Sequence, residues 1–365
     1  MNIRRLLGLF ICLSLLLTAL SSCDIEFSDI LSGNTTDPSK ITEPEKQARS
    51  FYEYFNTVCV VISYKGDSAE EFDVNCNEIS ALLDDYHKLF DIYYEYAGVN
   101  NLMTINKNAG IAPVKVDERL IDFLLYAKEI YDLTEGKTNV AMGSVLSLWH
   151  HEREWGIDDP ENAELPDPAA LEEAAKHTDI NCVIIDETEN TVYLSDPNMS
   201  LDVGALGKGY ATEKAAELLM AKGVTSYVLN FGGNIRAIGT KVNGDGWLTG
   251  ITNPDKESEE SFVCKVNIKD ISLVTSGDYE RYYIVDGVKY HHIIDPKTNM
   301  PAKYFSSISI FTEDSGLADA LSTALFCMSY EDGLALINKI GGVDAIWVTF
   351  SGEVKSTGGI EIIYN

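Results

Sequence analysis

Two periodicities divide this chain, and their order restricts the folds open to it more than any single motif does. In the first half, residues 74–96 carry apolar groups at Ile79, Leu82, Leu83, Tyr86, Leu89 and Phe90. Residues 117–133 carry them at Leu120, Phe123, Leu124, Ala127, Ile130 and Tyr131. Both runs have the three-and-four spacing of an amphipathic helix. From residue 224 onward, short β-branched and aromatic runs alternate with turn residues, which is the pattern of strands. Helices gathered early and strands late predict an α+β fold, a single large domain of mixed or antiparallel sheets with flanking helices, and argue against regular βαβ alternation. Shorter signals fit the same frame. Residues 55–64 read as a strand, 182–185 with 191–194 as a hairpin, 211–222 as a helix, and the acidic, proline-containing stretch 153–168 as a surface loop. Helices at 315–329 and 331–340 precede a last pair of strands, 345–350 and 354 onward, joined through Ser351-Gly352.

The N-terminal residues read as an address. Arg4 and Arg5 precede a mostly apolar run, 6–20, too short to span a bilayer and laid out like an export signal. Leu20-Ser21-Ser22-Cys23 resembles the bacterial lipobox, whose cysteine is lipidated and becomes the new N-terminus; the alternative is an ordinary cleaved signal with a cysteine nearby. Small residues directly before Cys23 favour the lipobox, which predicts a signal peptide over 1–22 and a lipid-anchored protein on the extracytoplasmic face of the cell membrane. Residues 23–48, rich in Ser, Thr, Asp, Glu and Lys, then form a lipidated, flexible tether, and 49–365 the folded domain. The five remaining cysteines have no metal-ligand spacing and are expected to be buried and apolar in role.

Charge narrows the partners. With 28 Lys+Arg against 57 Asp+Glu, the formal net charge is −29, which excludes nucleic-acid binding by a basic surface. Any anionic ligand would need a local cation or a helix N-terminus.

Four segments carry chemistry. Asp202-Val-Gly-Ala-Leu-Gly-Lys-Gly-Tyr210 places three glycines before a helix, where backbone N–H groups can approach an anion; Lys208 adds a point charge and Asp202 a carboxylate. Its GxxGxG spacing is no Rossmann fingerprint, and a tight packing turn is the alternative. Leu229-Asn-Phe-Gly-Gly-Asn-Ile235, taken alone, reads as a hairpin turn. Residues 276–296 form a hairpin about Asp286-Gly287, on which His291 and His292 must point to opposite faces. One of them as a general base is the functional reading, and two sheet histidines the bland one. The helix containing Asp319 and Thr323 is apolar nearly all round, and these two stand four apart on one face. A carboxylate and a hydroxyl in that setting suit Mg²⁺ better than zinc; otherwise Thr323 bonds its own helix and Asp319 eases the helix N-terminus.

These segments, with the lipobox, resemble the FAD:protein FMN transferases, the ApbE-type flavin-transferring lipoproteins. DVGALGKGY, LNFGGNIRAIG, SGDYERYY, YHHIIDPKTNMP and ADALSTALF follow in order across 202–325, with weaker agreement over 55–149. The resemblance implies Mg²⁺ on the FAD pyrophosphate and transfer of FMN from FAD to a Ser or Thr hydroxyl of an extracytoplasmic acceptor protein, releasing AMP. It implies metal ligation by Asp319, Thr323 and the Ala205 carbonyl. It also implies FAD contacts at Asp202, Lys208 and Ile293, with Phe55, Tyr93, Lys137, Thr138 and Asn139 around the flavin or adenine. Catalytic roles then go to Asp319 through the metal, to Lys208 on the phosphate charge, and to His292, with His291 second, for the proton of the incoming hydroxyl. Gly204-Ala-Leu-Gly-Lys208 replaces a common Gly-Gly-Ile-Ala-Lys, and Thr138-Asn139 a common aromatic–Asp pair. Asn299 stands for a usual Gly, and Asn tolerates a left-handed turn. A Mg²⁺-dependent FAD pyrophosphatase and a solute- or flavin-binding lipoprotein are the alternative readings.

Overall fold

In the computed structural model, residues 46–64 and 68–364 are described. The frame is an eight-stranded sheet whose neighbouring strands all run antiparallel. They are ordered Gln47–Phe51, Cys59–Ser63, Ser226–Phe231, Asn234–Gly239, Ser272–Gly277, Ser307–Thr312, Asp344–Val348 and Val354–Ser356. Cys59–Ser63, Ser226–Phe231 and Ser307–Thr312 are buried at every residue, because both faces of the sheet are covered. Alternate side chains serve alternate faces. Cys59, Val61, Tyr227 and Leu229 pack with the helices Ala69–Phe90, Glu118–Leu133 and Gly207–Ala221. Val60, Ile62 and Val228 pack with Trp247, Cys264 and Val266 of a smaller sheet, Trp247–Thr252, Phe262–Ile268 and Ile362–Ile363. A third core joins the helices Ser315–Phe326 and Tyr330–Ile340 to Ile308, Ile310 and Trp347. The expected α+β domain, with antiparallel sheets, is what forms.

Several boundaries move, each for a local reason. The first helix runs Ala69–Phe90, several residues earlier than its apolar spacing suggests. Ser68 and Glu71 form a capping box at its start. At its end the Asp91 carboxylate accepts the N–H groups of Tyr93 and Tyr94, diverting the chain into a turn. The strand expected from residue 55 begins at Cys59, after a turn in which Phe55 and Asn56 have φ of 53° and 51°. The acidic stretch from 153 starts as helix, since Gly143–Asp158 buries Val145, Trp149 and Gly156 before the chain turns at Pro160–Asn162. The glycine-rich segment is helical from Gly207, four residues before the expected start. The tether's last residues already belong to the sheet, with Ala48 opposite Ile62, while Cys23 and the signal lie outside the described residues. Cys59, Cys76, Cys264 and Cys327 are buried and free, and Cys182 is free and half-buried.

Candidate active site

A cavity of about 580 Å³ opens where one end of the large sheet meets the glycine-rich turn and the Asp319 helix. Its volume suits a cofactor-sized ligand. All the sequence-predicted residues of the mature body line it: Phe55, Tyr93, Lys137, Thr138, Asn139, Asp202, Ala205, Lys208, His292, Ile293, Asp319 and Thr323.

Asp319 is the hub. The helices Gly207–Ala221 and Ser315–Phe326 touch so closely at this point that a Cβ on Gly209 would lie 2.4 Å from Asp319 Cβ and from the Ser315 carbonyl oxygen. Only glycine permits that approach. It lets the Gly209 N–H donate to Asp319 Oδ2 at 2.8 Å, where a regular helix would turn it back toward Ala205. The Ala205 carbonyl consequently accepts no hydrogen bond among the described residues. Lys208 Nζ stands 3.8 Å from the same carboxylate oxygen, so Asp319 has a protein cation, brought from a distant helix. With its amide oxygen toward Lys208 Nζ at 2.9 Å, Asn234 offers its amide nitrogen to Asp319 Oδ1 at 3.3 Å. Burial pushes the Asp319 carboxyl above its ordinary range, against the opposing pull of Lys208 and the Gly209 N–H. Thr323, one turn along and half-buried, makes no side-chain hydrogen bond among the described residues; the serine beside it, Ser322, is the one that bonds back to the helix, at Asp319 O. A carboxylate, an unused hydroxyl and an unused carbonyl are thus gathered at one wall. They form an all-oxygen donor set that fits Mg²⁺ and leaves positions for phosphate and water.

The two adjacent histidines separate as a strand requires. His291 is locked: its Nε2 meets the Ala302 carbonyl at 2.7 Å and its Nδ1 accepts the Ile293 N–H at 3.2 Å. His292 faces the cavity, and its buried Nδ1 has no partner. Burial first, then the charges of Arg281, His291, Arg153 and Lys208, hold its pKa well below the ordinary imidazole value. A neutral imidazole with an unshared lone pair is a proton acceptor, so His292 is the base-competent member of the pair.

The far end of the cavity is mixed. Asp202 Oδ1 accepts the Gly204 N–H at 2.9 Å, and its Oδ2 lies 3.9 Å from His150 Nδ1, which in turn is 3.3 Å from the Tyr93 hydroxyl. Phe55 packs edge-on to His87 at 5.8 Å. Lys137 is paired with the buried Asp295 at 2.9 Å, and the Thr138 hydroxyl donates to the Ala320 carbonyl at 2.7 Å. Asn139 bridges Ala141 N–H and the Thr178 carbonyl. Those three therefore shape the wall with side chains already engaged. Ile293 likewise presents its side chain, since its N–H serves His291 and its carbonyl accepts from Ala302.

The reading of residues 229–235 as a hairpin turn is correct and incomplete. Gly232 and Gly233 do make the turn, with φ of 61° and 90°. The turn also delivers Asn234 to the Lys208–Asp319 pair, a role with no local sequence signal. His150 and Arg281, which no local sequence pattern marks as site residues, also line the cavity.

A family model described as the ApbE family matches residues 55–347. A protein from Treponema pallidum (strain Nichols) named FAD:protein FMN transferase is 35% identical over 319 residues, covering 83% of this chain and 85% of its own length. One of the same name from Klebsiella pneumoniae (strain 342) is 31% identical over 256 residues, covering 70% and 77%. Among solved structures, the ApbE protein of Thermotoga maritima superposes with a TM-score of 0.74 at 26% identity, over 86% of this chain and 97% of that one. The flavin transferase ApbE of Vibrio cholerae superposes with a TM-score of 0.71 at 24% identity, over 86% and 96%, a likeness of fold.

Proposed function

The chain belongs to the ApbE family, and on that footing we propose that it moves the FMN half of FAD onto a Ser or Thr hydroxyl of an acceptor protein, with Mg²⁺ bound, releasing AMP. Flavin transfer is its activity; the metal, the leaving group and the acceptor hydroxyl are what the chemistry of the site adds. The observation that carries this reading is the meeting, in one cavity, of the Asp319–Thr323–Ala205 oxygen set with a neutral, unpartnered His292.

In the transfer step the acceptor oxygen bonds to the FMN phosphorus while the bond from that phosphorus to the AMP phosphate breaks. The His292 imidazole takes the hydroxyl proton, and the electron pair of the broken bond leaves on AMP. Lys208 meets the phosphate charge, and the Asn234 amide keeps Lys208 aligned on Asp319. Mg²⁺, held by Asp319, Thr323 and the Ala205 carbonyl, would neutralise the pyrophosphate and polarise the phosphorus. In so acidic a chain, these cations would supply the local positive field an anion needs, since the Gly207, Gly209 and Tyr210 N–H groups at the helix start are bonded within the protein.

The mature chain, incubated with FAD, Mg²⁺ and an acceptor domain, should yield a fluorescent acceptor band on a denaturing gel, with AMP formed in step. Chelation by EDTA should abolish both. AMP and free FMN without a labelled acceptor would mark a hydrolase and end the transferase reading. For location, we propose that Cys23 is lipidated and holds the chain on the extracytoplasmic face of the membrane. Cys23→Ala should then move the protein from the membrane fraction to the soluble one, and unchanged membrane association would count against the anchor.

A further inference from the structure

Five arginines lie among the described residues, and three are matched to carboxylates. Arg49 pairs with Asp73, Arg119 with Asp85 and Asp117, and Arg236 with Glu213 and Asp270. Arg153 and Arg281 have no ion pair and no side-chain hydrogen bond among the described residues. In a chain carrying 57 acidic residues, two unmatched guanidiniums ask for an explanation. Burial and then the charge of Arg281 push the Arg153 guanidinium below its ordinary pKa, while Tyr93, Glu154 and Asp202 pull it the other way.

Their place is specific. The Arg281 carbonyl accepts the His292 N–H at 2.9 Å, which sets the Arg281 side chain on the cavity wall beside the candidate base. Arg153 follows His150 by three positions on the helix Gly143–Asp158, hence on the same face, and His150 lines the cavity between Tyr93 and Asp202. That helix packs on the strand Tyr282–Val285, which continues directly from Arg281. Asp278, buried three residues before Arg281, is already held by Lys289 at 2.7 Å. Buried Asp319 and Asp202 act on Arg281 and Arg153 through charge but form no ion pair with them among the described residues, so a guanidinium on the cavity wall with no carboxylate bound to it makes a site for an anion from outside the chain.

We infer that Arg281, supported by Arg153, is a second cationic hold on the FAD pyrophosphate, next to His292 and in addition to Lys208. This rests on the FMN-transfer reading for the identity of the ligand, and on the unmatched guanidiniums for its charge. As the bond from the FMN phosphorus to the bridging oxygen breaks, the electron pair stays on that oxygen with AMP, and negative charge grows on the departing phosphate. A planar guanidinium, able to bond two phosphate oxygens at once, meets that charge without itself accepting or losing a proton.

ADP carries the adenosine pyrophosphate and needs no acceptor, so its binding to the full mature chain, measured by calorimetry, reads the site directly. Arg281→Gln should weaken both ADP and FAD by about ten-fold or more, with Arg281→Lys recovering part of the loss. Riboflavin, which has no phosphate, should bind both variants as it binds the parent. Arg153→Gln, on a separate element, should shift ADP and FAD in the same direction and stands in should Arg281→Gln fail to fold. ADP and FAD affinities within about two-fold of the parent, in folded variants of both arginines, would overturn the inference. So would a rise confined to the acceptor's KM, which would assign the guanidiniums to the acceptor. A parent protein that binds FAD and ADP yet labels no acceptor would fail the transfer reading separately, leaving the anion site in place.

Discussion

Substituting Asp319 by Asn is expected to leave the protein folded and to lower the rate of flavin transfer by about 10²–10³-fold, the scale on which preorganised charge at a reacting phosphate acts. The two side chains have nearly the same shape. The Asn amide oxygen can still accept the Gly209 N–H, so the helix contact that glycine makes possible should persist. What disappears is the negative charge shared between Lys208 and the proposed metal. Burial raises the Asp319 pKa, against the pull of Lys208 and the Gly209 N–H, so ionising Asp319 costs the folded, metal-free chain more than it costs the unfolded one. Removing that charge should therefore hold or raise the melting temperature of the metal-free protein, while Mg²⁺ affinity measured by calorimetry falls. A folded variant that binds Mg²⁺ and transfers flavin like the parent at low Mg²⁺ would remove Asp319 from the metal site. A variant that unfolds would reassign Asp319 to holding the two helices together.

His292→Gln should cost about 10²–10⁴-fold in transfer rate, the usual contribution of a positioned general base, with FAD affinity little changed. The pH profile distinguishes this role from a structural one. The folded His292 pKa lies well below the ordinary value of about 6.5, so the neutral, proton-accepting form should persist as pH falls through that value. The parent's transfer rate should then show no His292 limb near pH 6.5. A limb there that disappears in His292→Gln would contradict the buried, neutral imidazole. Stability carries the opposite mark of the same shift. Below about pH 6.5 an unfolded imidazole binds a proton that folded His292 and His291 do not, so the unfolded state holds more protons and stability declines as pH drops. Denaturant midpoints at pH 7 and pH 5.5, in parent and variant, measure that difference.

The site was legible in sequence where a local pattern reports a local geometry. Three glycines before a helix signal close backbone approach, but at Gly209 the approach is to the Asp319 helix, the packing alternative, and the N–H groups of Gly204, Gly207 and Gly209 are bonded within the protein and not offered to a ligand. A four-residue spacing puts Asp319 and Thr323 on one face, and adjacent strand residues must diverge, as His291 and His292 do. The fold class followed from the same kind of evidence. Asn234 shows what local patterns miss: its neighbours specify a turn, while its function depends on a helix that begins at Gly207 and another at Ser315. Arg281 and Arg153 show it again, since a missing partner is a property of the folded neighbourhood. Helix ends drifted where a side chain outside the periodic run decides the boundary, as the Ser68 cap and the Asp91 turn do.

The sheet order bears on how the chain is made. Cys59–Ser63 sits between Gln47–Phe51 and Ser226–Phe231, with Val61 opposite Leu229. During synthesis at roughly 5–20 residues per second, the two leading strands wait on the order of ten to thirty seconds before their third neighbour leaves the ribosome. A hairpin of two strands is marginal by itself in water, so for that interval the amino-terminal part has no stable sheet to join. Closing the long intervening loop adds to the delay. Completion of the frame thus comes late, after the helices Ala69–Phe90, Glu118–Leu133 and Gly207–Ala221 have emerged.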